Sequence, residues 1–139
     1  MKWNIVETQD DIDFLLKVFN DFHDSCIVSM QYKSGAYVDK SDFSMNPINT
    51  ERTLSLIFHS QFKNCSAIEL VFDKLVKLNL EPNDENYDCI IFGATIKKEN
   101  GKFFWADSPD CTYSSPNGTW IICEKLRWRK CEIENFEYL

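Results

Sequence analysis

The sequence predicts an α+β fold in which an N-terminal amphipathic helix packs on a mainly antiparallel sheet of about six or seven strands. Three observations predict it. Apolar residues recur at helical spacing once, between Ile12 and Phe22, and not convincingly again. Period-two alternation fills most of the remaining chain, and the connections between alternating runs are of hairpin length. Without crossover helices the strands have no route to a parallel doubly wound sheet, so they must pair antiparallel. A length of 139 residues, 44% hydrophobic and 14% aromatic, suits one domain, residues 1–139, with a core of its own.

Each element follows from a local pattern. Trp3 and Ile5 alternate with Lys2 and Asn4 as a short edge strand. Thr8, followed three positions later by Asp11, resembles a capping box with Asp in place of Glu, and Asp10, Asp11 and Asp13 suit the positive end of the helix dipole. Ile12, Leu15, Leu16, Phe19 and Phe22 then form one helical stripe. After Asp24 the period becomes two, with Cys26, Val28, Met30 and Tyr32 on one face and Ile27 out of pattern. Ser34-Gly35 turns or bulges the chain before "AYVD", and "KSDFSMNPINTE" reads as a polar loop.

Alternation resumes in "RTLSLIFHSQ" through Leu54, Leu56 and Phe58, and in "AIELVFDK" through Ile68, Leu70 and Phe72. The stretch "KLVKLNLEPNDENY" reads as strand or irregular structure. In "DCIIFGATIKKENGKFFWAD", Asn100-Gly101 suits a tight turn that needs positive φ at both central residues, and both flanks are β-rich. "SPDCTYSSPNG" is a loop. "TWIICEKLRWRKCEIENF" gives a long last strand with Trp120, Ile122, Leu126 and Trp128 on one face.

Composition excludes several classes of function. A net charge of -7 argues against a nucleic-acid coat or an anionic membrane surface, both of which select basic faces. A basic partner protein is the better match. No apolar run approaches the roughly 18 residues of a membrane span, and Glu7, Asp10, Asp11 and Asp13 interrupt what would be the apolar core of a secretory signal. The expected compartment is the cytoplasm, which discounts the glycosylation-type triplets at Asn64 and Asn117. Cys26, Cys65, Cys89, Cys111, Cys123 and Cys131 form no C-x-x-C pair and read as reduced, small hydrophobes. Glycine-rich nucleotide fingerprints are absent, and no cofactor is expected.

Four groups of residues invite chemistry. His23-Asp24 could act as an acid or base oriented by a carboxylate, in a small hydrolase. Against that, a histidine at a helix carboxyl end followed by an aspartate explains a chain reversal without a substrate. His23 and Cys26, with His59 and Cys65, offer four zinc ligands, but a cysteine on an apolar strand face is explained by burial. Glu69, Asp73, Asp107 and Glu124 lie on or beside strands, and nothing selects a catalytic pair among them. Lys125, Arg127 and Arg129 share one strand face opposite Leu126 and Trp128. With Glu124, Glu132, Glu134 and Glu137 diluting the field, this face reads as solvated or paired across strands rather than as a phosphate track. Asp10, Asp11 and Asp13, with Glu81, Asp84, Glu85 and Asp88, are the acidic clusters expected to meet a basic partner.

The early Trp3, the acidic helix ending in "FHDSCI", the strand "IELVFDKL" and the late "WAD" followed by "KLRWR" resemble a family of small bacterial proteins of uncharacterised activity, over nearly the whole chain. In size and charge the chain is also similar to immunity proteins that neutralise toxins in bacterial polymorphic-toxin systems. The resemblance implies a non-enzymatic, cytosolic protein that works by binding another protein. It assigns no residue.

Overall fold

The structure, a computed structural model, describes residues 2–133. Thr8 opens helix α1, Gln9–Val18, through the expected reciprocal cap: its hydroxyl accepts from the Asp11 amide, and the Asp11 carboxylate accepts from the Glu7 and Thr8 amides. Before it, β1 is Asn4–Val6; after it come β2, Ser25–Lys33, β5, Thr53–Ser60, β6, Ala67–Asn79, β7, Thr95–Glu99, β8, Lys102–Ala106, and β9, Trp120–Lys130. These seven strands form one sheet in the order β2-β5-β6-β9-β8-β7, and β1 pairs with the later half of β9. Every pairing in it is antiparallel. Two further strands, β3, Tyr37–Val38, and β4, Met45–Asn46, make a small separate ribbon. That ribbon corrects the reading of "KSDFSMNPINTE" as a loop without strand structure.

Alternation along β5, β6 and β9 sends Leu54, Leu56, Phe58, Ile68, Leu70, Phe72, Leu126 and Trp128 to the face that α1 covers with Ile12, Leu15 and Phe19. Phe104, Ala106, Cys111 and Ile122 form a second, smaller cluster, packed by Tyr113 and Trp120. Among the described residues no helix is long and apolar enough to cross a membrane.

The helix is shorter than its stripe. It stops at Val18, and Asn20, Asp21 and Phe22 all take left-handed backbone angles, φ 53°, 55° and 62°. Such a run costs about 1–2 kcal/mol per residue, less for Asn and Asp. Phe22 shows what offsets it. Its ring is fully buried, edge-on to Phe19 and Phe58 at 5.0 Å and to Trp105 at 5.9 Å. Burial of a phenylalanine gains about 1.5–3 kcal/mol, and each aromatic pair about 0.5–1.5 kcal/mol more. The turn is held because it drives that ring into the core. The Trp105 indole nitrogen, buried in the same cluster, has no acceptor among the described residues.

In β2 the alternation does not run straight through. A bulge at Val28 shifts the register between Ile27 and Ser29, so Cys26 stands opposite His59 while Met30 stands opposite Leu56. Cys26 therefore does not share a face with Met30 and Tyr32, which corrects the single stripe expected for this strand. The last strand stops at Lys130, and Glu134 and Glu137 lie outside the described residues.

Candidate functional site

His23 and Asp24 follow the left-handed turn and lead into β2. The His23 Nδ1 lies 2.8 Å from the Phe92 carbonyl oxygen. A carbonyl only accepts, so Nδ1 carries the proton and Nε2 is the acceptor of the neutral ring. Nε2 faces the Asp24 carboxylate at 3.4 Å. That is an ion pair only when the ring holds both protons. A general base oriented by a carboxylate needs the opposite arrangement, with the carboxylate on one nitrogen and the other turned to substrate. The neighbouring hydroxyl, Ser25, is buried and donates to the Phe22 carbonyl.

Backbone bonds show what the junction holds. The Asp24 amide donates to the Ile91 carbonyl at 2.9 Å, the Ile91 amide to the Ser25 carbonyl at 2.8 Å, and the Ala94 amide to the Asp21 carbonyl at 3.0 Å. His23 adds a fourth tie at Phe92. All four clamp one end of residues 80–94, a 15-residue connection between β6 and β7 with no helix or strand of its own. The other end is tied where the Glu81 amide donates to the Thr119 hydroxyl at 3.0 Å. Inside the loop, the Asp84 and Asp88 carboxylates accept from the Asn86 and Ile90 amides, and the Asn83 side chain donates to the Asp88 carbonyl. A long, irregular loop so thoroughly pinned is a built surface.

Its chemistry is acidic and apolar together. Glu81, Asp84, Glu85 and Asp88 are exposed with no basic residue between 78 and 94. Tyr87 and Phe92 are 73% and 70% exposed, and Leu80 and Ile90 about half exposed. A second such element lies at the far end of β2. Residues 34–52 project as an arm bearing the β3-β4 ribbon, with Phe43 80% and Ile48 69% exposed. The arm is closed where the Glu51 and Arg52 amides both donate to the Ser34 carbonyl. Gly35, at φ +91°, allows the closure, since a side chain there would run into Thr50 and the Glu51 backbone. Residues 19–51 and 78–94 hold nine acidic residues against Lys33 and Lys40, and so carry the entire net charge of -7, while the rest balances at thirteen of each sign. Sequence reasoning named the acids but missed the interleaved aromatics. Their signal is a run of apolar residues with neither helical nor strand period.

Asp10 and Asp13 are exposed on α1, and Asp11 is committed to the cap, where the Glu7 and Thr8 amides hold its carboxyl below the usual range. The four metal candidates are dispersed. Cys26 and His59 are cross-strand partners beside a cavity of about 290 Å³ that Asp24 also lines. Cys65 is buried with its thiol toward the Ala67 carbonyl, and His23 is engaged at Phe92. Among the described residues no three His, Cys, Asp or Glu side chains are grouped to hold a metal. Burial pushes the Cys26 thiol up and the His59 imidazole down, so both are held neutral near pH 7, the reverse of an activated thiolate-imidazolium pair.

Two of the basic residues of β9, Arg127 and Arg129, are paired across strands. Arg127 Nε donates to Asp73 at 2.8 Å, and Arg129 Nε to Glu69 at 2.9 Å. Ser55 donates to the second Glu69 oxygen at 2.6 Å. Trp3 lies under both guanidinium groups, 4.2 and 4.3 Å from its ring centre. The indole that meets the arginines is thus Trp3, while Trp128 is buried on the helix side. Asp107 lines a separate cavity of about 250 Å³ with Glu81 and Thr119. Burial raises its carboxyl, offset in part by the Thr119 amide. Comparison with protein-family models, with curated proteins and with solved structures gives no match.

Proposed function

We propose that this chain is a cytosolic bacterial protein that works without catalysis, by binding a basic protein, in the manner of an immunity-type inhibitor of a toxin. The observation that carries the reading is the 80–94 loop, where four carboxylates stand among four exposed apolar side chains on a pinned backbone. Exposed charge of one sign speeds and orients encounter, while aromatic groups beside it supply the contact area that charge alone does not. In this reading His23 and Asp24 are positioning residues. Their work is to fix the loop at Phe92 and Ile91.

The experiment is capture of proteins from bacterial extract on the immobilised chain at about 50 mM and about 300 mM salt, where exposed charges are screened to different degrees. Wild type retains a basic protein at the lower salt, and the D84N/E85Q/D88N variant loses it. A toxin gene beside the chain's own gene supports the inhibitor form, and co-expression then protects the host. Retention of no basic protein at either salt removes the reading.

A further inference from the structure

We infer that the outer edge of β2 receives an extended, basic segment of the partner as an added strand. The inference rests on the acidic-face reading and says how the partner is held. β2 ends the sheet on one side and β7 on the other. β7 is short, five residues, and carries Lys97, Lys98 and Glu99, the usual protection against further pairing. β2 has nine residues, no proline, and a single charge at Lys33, and it exposes Val28 and Tyr32.

The chain itself already starts such an addition. Ile91 bridges Ser25 antiparallel, its amide on the outward Ser25 carbonyl at 2.8 Å, and among the described residues no second bridge follows. Outward groups recur at every second residue. Carried through the one-residue bulge at Val28, the outward positions are Ile27, Met30 and Tyr32. Among the described residues no strand pairs with them. The acidic loop, with four carboxylates and no basic residue, stands at one end of this edge, and the arm, with Asp39, Asp42 and Glu51 against Lys40 and Arg52, at the other. A second copy would bring the same acidic flanks together, and a polyanion would be repelled. A lysine- or arginine-rich strand meets opposite charge chiefly at the loop end and open backbone along the rest of the edge.

The test uses the full isotope-labelled chain and a synthetic peptide alternating lysine and valine, with a twin N-methylated through its central residues so that it keeps its charge and loses its amide donors. The expected result at low salt is that the parent peptide binds at least tenfold more tightly than its twin. The Met30 and Tyr32 amides gain protection from hydrogen exchange, and Gln31, already turned toward β5, does not. Met30→Pro, which removes an outward amide together with a side chain packed on the core, weakens binding of the parent peptide to the level of the twin. Should that variant fail to fold, the exchange pattern of wild type decides alone. Equal binding of both peptides overturns the strand addition and leaves the acidic face standing. Binding of neither overturns both. Concentration-dependent protection of Met30 and Tyr32 without peptide shows a second copy at the edge and overturns the inference.

Discussion

Replacing His23 by alanine removes the side chain that ties the 80–94 loop at Phe92, and its cost follows from two contacts. The Nδ1–H bond to the Phe92 carbonyl, 2.8 Å, contributes about 0.5–1.5 kcal/mol net. The contact of Nε2 with Asp24 at 3.4 Å joins side chains that are 51% and 46% exposed, so it adds about 0–0.5 kcal/mol. The sum is ~1 kcal/mol, or about fivefold in the local opening equilibrium. Hydrogen exchange reads it at the Ile91 and Ala94 amides, which are bonded to Ser25 and Asp21. Both should exchange about fivefold faster in the variant, while amides of the β5-β6 ladder change only as far as global stability does. His23→Gln, whose side-chain amide can still donate to the carbonyl, should restore most of the protection. Unchanged exchange at Ile91 and Ala94 would refute the anchoring role. Loss of an enzymatic turnover with exchange intact would make His23 a catalytic residue instead.

Three further outcomes are expected. Leu15→Asp, at a fully buried position, should cost about 3–5 kcal/mol through an unpaired buried charge, whereas Phe14→Asp, 53% exposed in wild type, should cost no more than about 1.5 kcal/mol, as measured by urea unfolding. Asp107→Asn should raise the melting temperature at pH 7. Burial lifts this carboxyl above its ordinary value of 3.8, so the native state favours the protonated form, and the ionised group is a liability above the raised value. The advantage of asparagine should close as pH falls toward about 4, because wild type then holds the proton too. His59 has the opposite sign. Its imidazole is lowered from 6.5 by burial, so the unfolded chain takes up a proton first and stability is lost as pH falls below about 6.5. His59→Asn should flatten the stability profile between pH 7 and 5, a window above the carboxylates Asp11, Asp39 and Asp42, whose lowered values act below 3.8.

Much of the fold was legible because burial writes itself into periodicity. The Leu54-Leu56-Phe58 and Ile68-Leu70-Phe72 alternations name the core face directly, Thr8 and Asp11 name the helix start, and Asn100 and Gly101, φ 53° and 75°, name the β7-β8 turn. What escaped had no period to show. Phe22 keeps its helical spacing although the helix ends before it, because a left-handed turn carries its ring to the same core. The bulge at Val28 exchanges faces midway along β2, and a single bulged residue leaves only Ile27 out of pattern as a trace. The loop was visible as a cluster of acids, but its ties to Asp21, Asp24 and Ser25 join residues about 70 positions apart, and such pairing is set by tertiary packing. The short strand read around Trp3 and Ile5 is Asn4–Val6, with Trp3 just before it, and the partners of Trp3, Arg127 and Arg129, became evident only once β1 lay beside β9.

The charge of the loop is tested most directly by the rate at which the chain associates with a basic protein captured from extract, followed by stopped flow across ionic strength for wild type and the D84N/E85Q/D88N variant. Wild type should associate about tenfold faster than the variant at low salt, with the two rates converging as salt screens the field. Equal rates at every ionic strength would contradict it.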